Sequence, residues 1–121
     1  MVIGLDLDDT ITRHPAFFAC IASALRAAGH RVLVVTHRED PNDALRTLND
    51  LGVAHDAVIC PRPGDRARHG LAWKAAVCRE QGVSVMFEDC PETVRNIGPE
   101  TVCFVPFDPD WHRLEPRVPG G

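Results

Sequence analysis

The sequence predicts a three-layer α/β fold: a five-stranded parallel sheet with helices on both faces. Three observations carry that expectation. Short apolar, β-branched runs alternate with stretches of helical periodicity, in the order strand–helix four times over and then a last strand. The runs are nearly continuously apolar, as strands buried on both faces are. Glycines stand where the helical stretches stop.

The first run, residues 2–5 (VIGL), ends in Asp6, Asp8, Asp9 and Thr10. Pro15 opens the first helix at a position where its missing N–H costs nothing. Phe18, Ile21 and Leu25 recur on one face, and Gly29 closes it. Residues 31–36 (RVLVVT) form the second strand. Asp40-Pro41 is a cap and first-turn pair for a helix carrying Leu45, Leu48 and Leu51 and ending at Gly52. Residues 56–60 (DAVIC) read as a short third strand, and Pro61 to Gly64 as a loop. Asp65 is positioned to cap one helix running to Gln81, with Leu71, Ala75 and Cys78 inward and Gly82 as its stop. Residues 83–87 (VSVMF) form the fourth strand, 91–97 a short helix, and 101–105 the fifth strand. Residues 106–121, with four prolines, Trp111 and a Gly-Gly end, read as an irregular tail, so the expected core is 1–105.

At 121 residues the chain is one domain of ordinary size. It is 45% hydrophobic and 25% charged, a globular balance. A formal charge of −4 provides no global field for nucleic acid or an anionic membrane, although a bound metal can reverse the sign locally. No apolar stretch approaches the roughly 20 residues that span a bilayer. No basic region precedes the first apolar run and no cleavage pattern follows it, so no signal peptide is expected. The five cysteines, Cys20, Cys60, Cys78, Cys90 and Cys103, have neither disulfide-framework nor zinc spacing. Reduced thiols in a cytoplasmic protein are the expectation.

Parallel sheets of this kind bind ligands beyond the carboxyl ends of their strands. There the sequence places Asp6, Asp8 and Asp9, then Thr36-His37-Arg38, then Glu88-Asp89. In an extended backbone Asp6 and Asp8 share a side. Lys74, on the helix before the fourth strand, is the only lysine among thirteen Lys and Arg residues. Burying carboxylates is costly unless they are paired or metal-bound. Carboxylates, a hydroxyl and a lysine together form a phosphoryl-transfer set. One acid attacks phosphorus, a second moves protons, and a hard divalent cation with the lysine neutralises the phosphoryl oxygens.

These positions resemble the four motifs of the haloacid dehalogenase-like (HAD) phosphohydrolase superfamily. The match runs through D-L-D-D-T at Asp6 to Thr10, Thr36 after RVLVV, Lys74, and Glu88-Asp89 after VSVMF, in that order over residues 1 to 105. The resemblance implies a Rossmann-like core with the first strand between the second and fourth. It implies a phosphatase that hydrolyses a phosphate monoester. Asp6 would be the nucleophile that forms an aspartyl phosphate, and Asp8 the general acid and then base. Thr36 would bond the phosphoryl group, and Lys74 would neutralise it. Mg2+ would be held by the Asp6 carboxylate, the Asp8 backbone carbonyl and the Asp89 carboxylate, with Glu88 orienting Lys74 or a metal-bound water.

Two departures from the family pattern shape the expected substrate. Only 25 residues separate Thr10 from Thr36, and 37 separate Thr36 from Lys74, so neither interval leaves room for a cap domain. His37 stands where many relatives have Gly. An open site leaves selection to surface loops or to a second copy in a homo-oligomer. Residues 61–69 (PRPGDRARH), with Arg62, Arg66, Arg68 and His69, are the best local candidate for contacts beyond the phosphate. Leu7, Thr36, His37, Arg38 and Arg62 are the expected substrate-binding residues. The phosphorylated substrate stays open: nucleotide, sugar phosphate, polynucleotide end or phosphoprotein.

Taken singly, each position has a plainer explanation. Asp8-Asp9 makes a turn, Thr36 a strand residue, Lys74 a solvated helix charge, and Glu88-Asp89 a helix-start acid pair. Only the joint pattern outweighs these. A receiver domain is rejected, because Cys60-Pro61 replaces the acid it needs after its third strand and no lysine follows the fifth. A catalytically silent binding or regulatory module and a phosphotransferase are the alternatives to hydrolysis. Dehalogenation is disfavoured, since it has no need of Asp89.

Overall fold

A computed structural model describes residues 1–107 of the chain; the expected tail lies outside the described residues from position 108 on, Trp111 included. The architecture is the one expected: five strands, all parallel, in the order β3-β2-β1-β4-β5. They are β1 (Val2–Leu5), β2 (Arg31–Val35), β3 (Ala57–Ile59), β4 (Val85–Phe87) and β5 (Val102–Phe104). The helices are α1 (Pro15–Ala27), α2 (Pro41–Leu51), α3 (Asp65–His69), α4 (Trp73–Gln81) and α5 (Pro91–Asn96). β1 lies at the centre, so its carboxyl end is flanked by those of β2 and β4.

The period-two alternation of each strand divides the core into two layers. Ile3, Leu5, Val32 and Val34 face one side, where Phe18 and Ala22 of α1 and Ala44 and Leu48 of α2 pack on them. Leu33, Val35 and Met86 face the other, under Trp73, Val77 and Cys78 of α4. The helix ends repeat one device. The backbone N–H of His30, Val53 and Val83 each donates to a carbonyl five residues back, on Leu25, Leu48 and Cys78, around Gly29, Gly52 and Gly82. This explains why β4 starts later than expected. Val83 is committed to the close of α4, and Ser84 is the first to bond back to the sheet, donating to the Val2 carbonyl at 2.8 Å.

The single helix expected from Asp65 to Gln81 is two. Gly70 takes φ 54° and ψ −130°, a conformation that a side chain opposes, and it divides α3 from a short helical turn (Gly70–Ala72) leading into α4. Leu71, expected inward, is carried outward and is 59% exposed. No described helix is long and apolar enough to cross a membrane. The five cysteines are unpaired.

Asp56 takes a role its sequence context did not suggest. Its carboxylate accepts from the Val32 backbone N–H at 2.7 Å and from Arg26 Nε at 3.1 Å, tying the start of β3 to β2 and α1. Those bonds hold its carboxyl below the ordinary range, with the Val32 amide the larger cause. Asp56→Ala is expected to lower the unfolding free energy by about 1 to 2 kcal/mol, read by urea unfolding at neutral pH. Because the folded-state value is depressed, this contribution is present above the unfolded carboxylate range. It fades as pH falls through the lower folded value.

Candidate active site

The site is built at the carboxyl end of β1. The Asp6 N–H still donates to the Phe87 carbonyl of β4, at 2.9 Å, so the Asp6 side chain is fixed by the sheet. The chain then makes a wide turn over Leu7–Ile11, closed by Ile11 N–H on the Asp6 carbonyl and Thr12 N–H on the Leu7 carbonyl. Leu7 and Ile11 are fully buried and anchor the turn in the core. Asp9 adopts a left-handed φ of 64°, which Asp tolerates better than most residues. The turn returns Thr10 beneath Asp6.

Asp6 is 5% exposed and both its oxygens are engaged. Oδ1 accepts from Lys74 Nζ at 2.6 Å, and Oδ2 from Thr10 Oγ1 at 3.0 Å. The same hydroxyl lies 3.2 Å from Asp89 Oδ1, so Thr10 bridges the two carboxylates. Lys74, 2% exposed, also donates to Glu88 Oε1 at 2.7 Å. Glu88 Oε2 accepts the backbone N–H groups of Asp89 and Cys90. Glu88 therefore orients both the lysine and the loop after β4.

The cluster is short of positive charge. Asp6, Glu88 and Asp89 offer ligand oxygens within 4.8 Å of one another, and one ammonium sits among them. With all four ionised, the formal excess is two negative charges. Burial pushes the Asp6 carboxyl up to about 8, with the Glu88 charge adding to the rise and Lys74 opposing it. Burial pulls the Lys74 ammonium down, but the two carboxylates outweigh it and hold it above its ordinary value. Both shifts have one meaning: the cluster retains a proton more readily than its isolated members would. The donor set fits a hard divalent cation, which takes carboxylate oxygens and completes its shell with waters. Both oxygens of Glu88 are held by the lysine and two backbone N–H groups, whereas among the described residues Asp6 Oδ2 and Asp89 Oδ1 meet only the Thr10 hydroxyl.

The other expected residues distribute unequally around this centre. Asp6, Asp8, Thr36, His37, Lys74, Glu88 and Asp89 line one pocket of about 610 Å³. Asp6 and Asp8 do share a side, but at different depths. The Asp8 side chain is 53% exposed and is held by the Arg38 guanidinium at 2.7 and 3.0 Å. Arg38 also reaches Asp43 at 3.1 Å and Thr47 at 2.8 Å, so its charge is already committed within the chain. Thr36 is buried, and its hydroxyl accepts from the Arg38 N–H at 3.1 Å. With the Leu7 side chain buried in the core, only its backbone is placed to meet a ligand.

His37 is half-buried against Trp73, ring centroids 5.3 Å apart. Burial, and then nearby Lys74, keep its imidazole below the ordinary value, so it faces the pocket neutral at pH 7. Arg62 does not line this pocket; it stands beside a neighbouring hollow with Glu39, Pro61 and Arg66. Asn96 bonds the Glu92 carbonyl within α5 and so has a structural part.

Three residues take parts in the site that the sequence did not assign to them. Thr10 is the bridge just described; its place five residues into the first motif was the available signal. Leu71 forms an exposed lip because of the kink at Gly70, and Thr93 of α5 reaches the same pocket. The helical spacing of Leu71 points inward, away from this part, and Thr93 carries no signal that would single it out.

No protein-family model matches the chain, and no curated protein matches it by sequence. Solved structures do share its fold. A chain in the structure of the Pnkp1/Rnl/Hen1 RNA repair complex matches 86% of this chain with a TM-score of 0.64 at 16% identity. A second, from the structure of a Pnkp1/Rnl/Hen1 complex, covers 86% with a TM-score of 0.66, also at 16% identity. This chain spans 41% and 45% of those two chains, less than half of each. At such identity the likeness is one of fold.

Proposed function

We propose that residues 1–105 are a HAD-type, Mg2+-dependent phosphatase core that hydrolyses phosphate monoesters, with a polynucleotide end as the favoured substrate class. The observation that carries the reading is Asp6 itself. A buried carboxylate at the end of the central strand is held by a buried lysine on one oxygen and a threonine on the other. A structural ion pair would satisfy itself; this cluster keeps an excess of negative charge and opens onto a pocket. The fold shared with chains of an RNA repair complex favours a polynucleotide end over the other phosphoesters.

In this mechanism an Asp6 oxygen attacks phosphorus and the bond to the leaving oxygen breaks, with Asp8 giving that oxygen its proton. Asp8 then takes a proton from water, the water oxygen attacks phosphorus, and the bond to Asp6 breaks, releasing phosphate. Lys74 keeps the Asp6 oxygen aimed and screens the arriving phosphoryl charge. Thr10 and Glu88 hold Asp6, Asp89 and Lys74 in register. Asp8 can deliver its proton only when the Arg38 fork releases an oxygen, which makes Arg38 a positioning residue for it. Asp6, Asp89 and the Asp8 backbone carbonyl would hold Mg2+. When bound, that ion neutralises phosphoryl oxygens.

The test is a phosphatase assay on a broad panel of phosphate esters, with Mg2+ titrated and then chelated. Turnover that appears with the metal and vanishes on chelation is expected. Turnover indifferent to chelation, or none on any ester, overturns the reading; binding without turnover points to the silent module. In a separate readout, Mg2+ is expected to raise Tm, and to do so more at about pH 8 than at about pH 5, because protons compete for the same oxygens. A Tm that ignores Mg2+ at both pH values counts against the metal site.

A further inference from the structure

The basic stretch after β3 is not absorbed by the chemistry above. In the fold it becomes a rim beside the phosphate pocket. Arg66 of α3 places a guanidinium nitrogen 3.4 Å from the His37 carbonyl, and the His37 ring lines the pocket. Arg66 in turn lines, with Arg62, a hollow of about 400 Å³. Hollow and pocket are therefore linked through the Arg66–His37 contact.

The state of each arginine decides what the rim can bind. Arg38 is bound up with Asp8 and Asp43. Arg68 pairs with Asp65 at 3.2 Å, and Asp65 also accepts the Arg62 N–H, which fixes the loop. Arg66 meets Glu39 only at 3.6 Å, with side chains 64% and 71% exposed, a contact worth little in water. The Arg62 guanidinium makes no hydrogen bond or ion pair among the described residues. Two exposed, weakly compensated guanidinium groups thus line the hollow beside the pocket, on a chain whose net charge is −4. The loop is stiffened by Pro61, Pro63 and the Asp65 carboxylate, so presenting these groups costs little ordering entropy. Guanidinium forks are suited to phosphodiester oxygens.

We infer that Arg66 and Arg62 form a phosphate track for the single strand whose terminal phosphate enters the Asp6 pocket, so that this chain prefers a phosphorylated oligonucleotide to a small phosphate ester. At the junction, neutral His37 and exposed Leu71 offer an apolar lip to the terminal nucleoside, while Arg66 and then Arg62 take the next backbone phosphates. The inference rests on the polynucleotide-end reading and deepens it.

The experiment uses the full chain and a short, labelled single-stranded RNA carrying a terminal phosphate. Binding to the Asp6→Asn protein is followed by fluorescence anisotropy across a salt series. For single strands each phosphate contact adds about 0.7 to the slope of log K against log salt, so Arg62→Ala/Arg66→Ala is expected to flatten it by about 1.4. In the otherwise native chain the same pair is expected to raise KM for the oligonucleotide about tenfold more than for a small aryl phosphate. Arg62→Lys/Arg66→Lys is expected to restore most of the salt slope. Equal losses on both substrates, or an unchanged slope, overturn the track. The two readings fail separately. If no ester is hydrolysed, the phosphatase falls, while salt-dependent binding lost in the double alanine variant still supports the track. If hydrolysis is intact and binding ignores both arginines, the track falls alone.

Discussion

Lys74→Met is expected to lower the unfolding free energy by about 3 to 5 kcal/mol at neutral pH, the cost of leaving buried charges without their partner. Methionine nearly matches the lysine in length, so the cavity contribution is small and the loss is electrostatic. Lys74 is 2% exposed and stands between Asp6 and Glu88, at 2.6 and 2.7 Å. Without it two buried carboxylates face each other with only Thr10 and two backbone N–H groups as donors. The acids respond by holding protons. A carboxyl whose folded-state value lies above its unfolded value contributes stability at low pH that is lost as pH rises. The deficit of the variant should therefore be largest near pH 8 and shrink toward about pH 5. Urea unfolding of both proteins across that range checks this. A deficit under about 1 kcal/mol, or one that grows on acidification, would show that the lysine is not the counter-charge of the cluster.

Asp6→Asn should act in the opposite sense on stability and abolish turnover. The amide keeps the size of the carboxylate but cannot attack phosphorus, so kcat/KM is expected to fall by at least about a thousandfold, as loss of a nucleophile does. Burial already pushes the Asp6 carboxyl up to about 8, so without metal the native site favours the neutral acid at neutral pH, and the amide reproduces that neutral form. Tm in the absence of metal is expected to hold or rise. Conversely, a variant that both unfolds and loses activity would identify Asp6 as a structural ion-pair member. Stability sacrificed for a reactive group is a common pattern at active sites. Differential scanning calorimetry beside the activity assay separates the two outcomes.

Much of this was legible in residue order. The five strands, their parallel sense and the helices α1, α2 and α5 followed from apolar runs, prolines at helix starts and glycines at helix ends. These signals are local, and the backbone obeys them where burial agrees. The helix expected from Asp65 to Gln81 divides at Gly70, although Asp65 suits a cap before it and Leu71, Ala75 and Cys78 keep helical spacing after it. Spacing reports which residues could share a face. It does not report that a glycine with φ 54° turns the chain out of that face. Local pattern makes Asp56 a strand residue and hides its role, because its partners, Arg26 and the Val32 amide, are 30 and 24 residues away.

For the site, residue order specifies which chemical groups the strand ends carry: acids after β1 and β4, a hydroxyl after β2 and a single lysine before β4. It does so because parallel strands deliver their carboxyl ends to one edge, whatever the packing details. How those groups divide their work is set by packing. Lys74 and Asp6 are 68 residues apart in the chain and 2.6 Å apart in space. The turn after β1 buries Asp6 and leaves Asp8 in the grip of Arg38. Depth, and therefore charge state, depends on neighbours that sequence spacing does not name. The same is true of the arginines after β2 and β3, where Asp8 and Asp43 take up Arg38, Asp65 takes up Arg68, and Arg62 and Arg66 are left as the weakly compensated members.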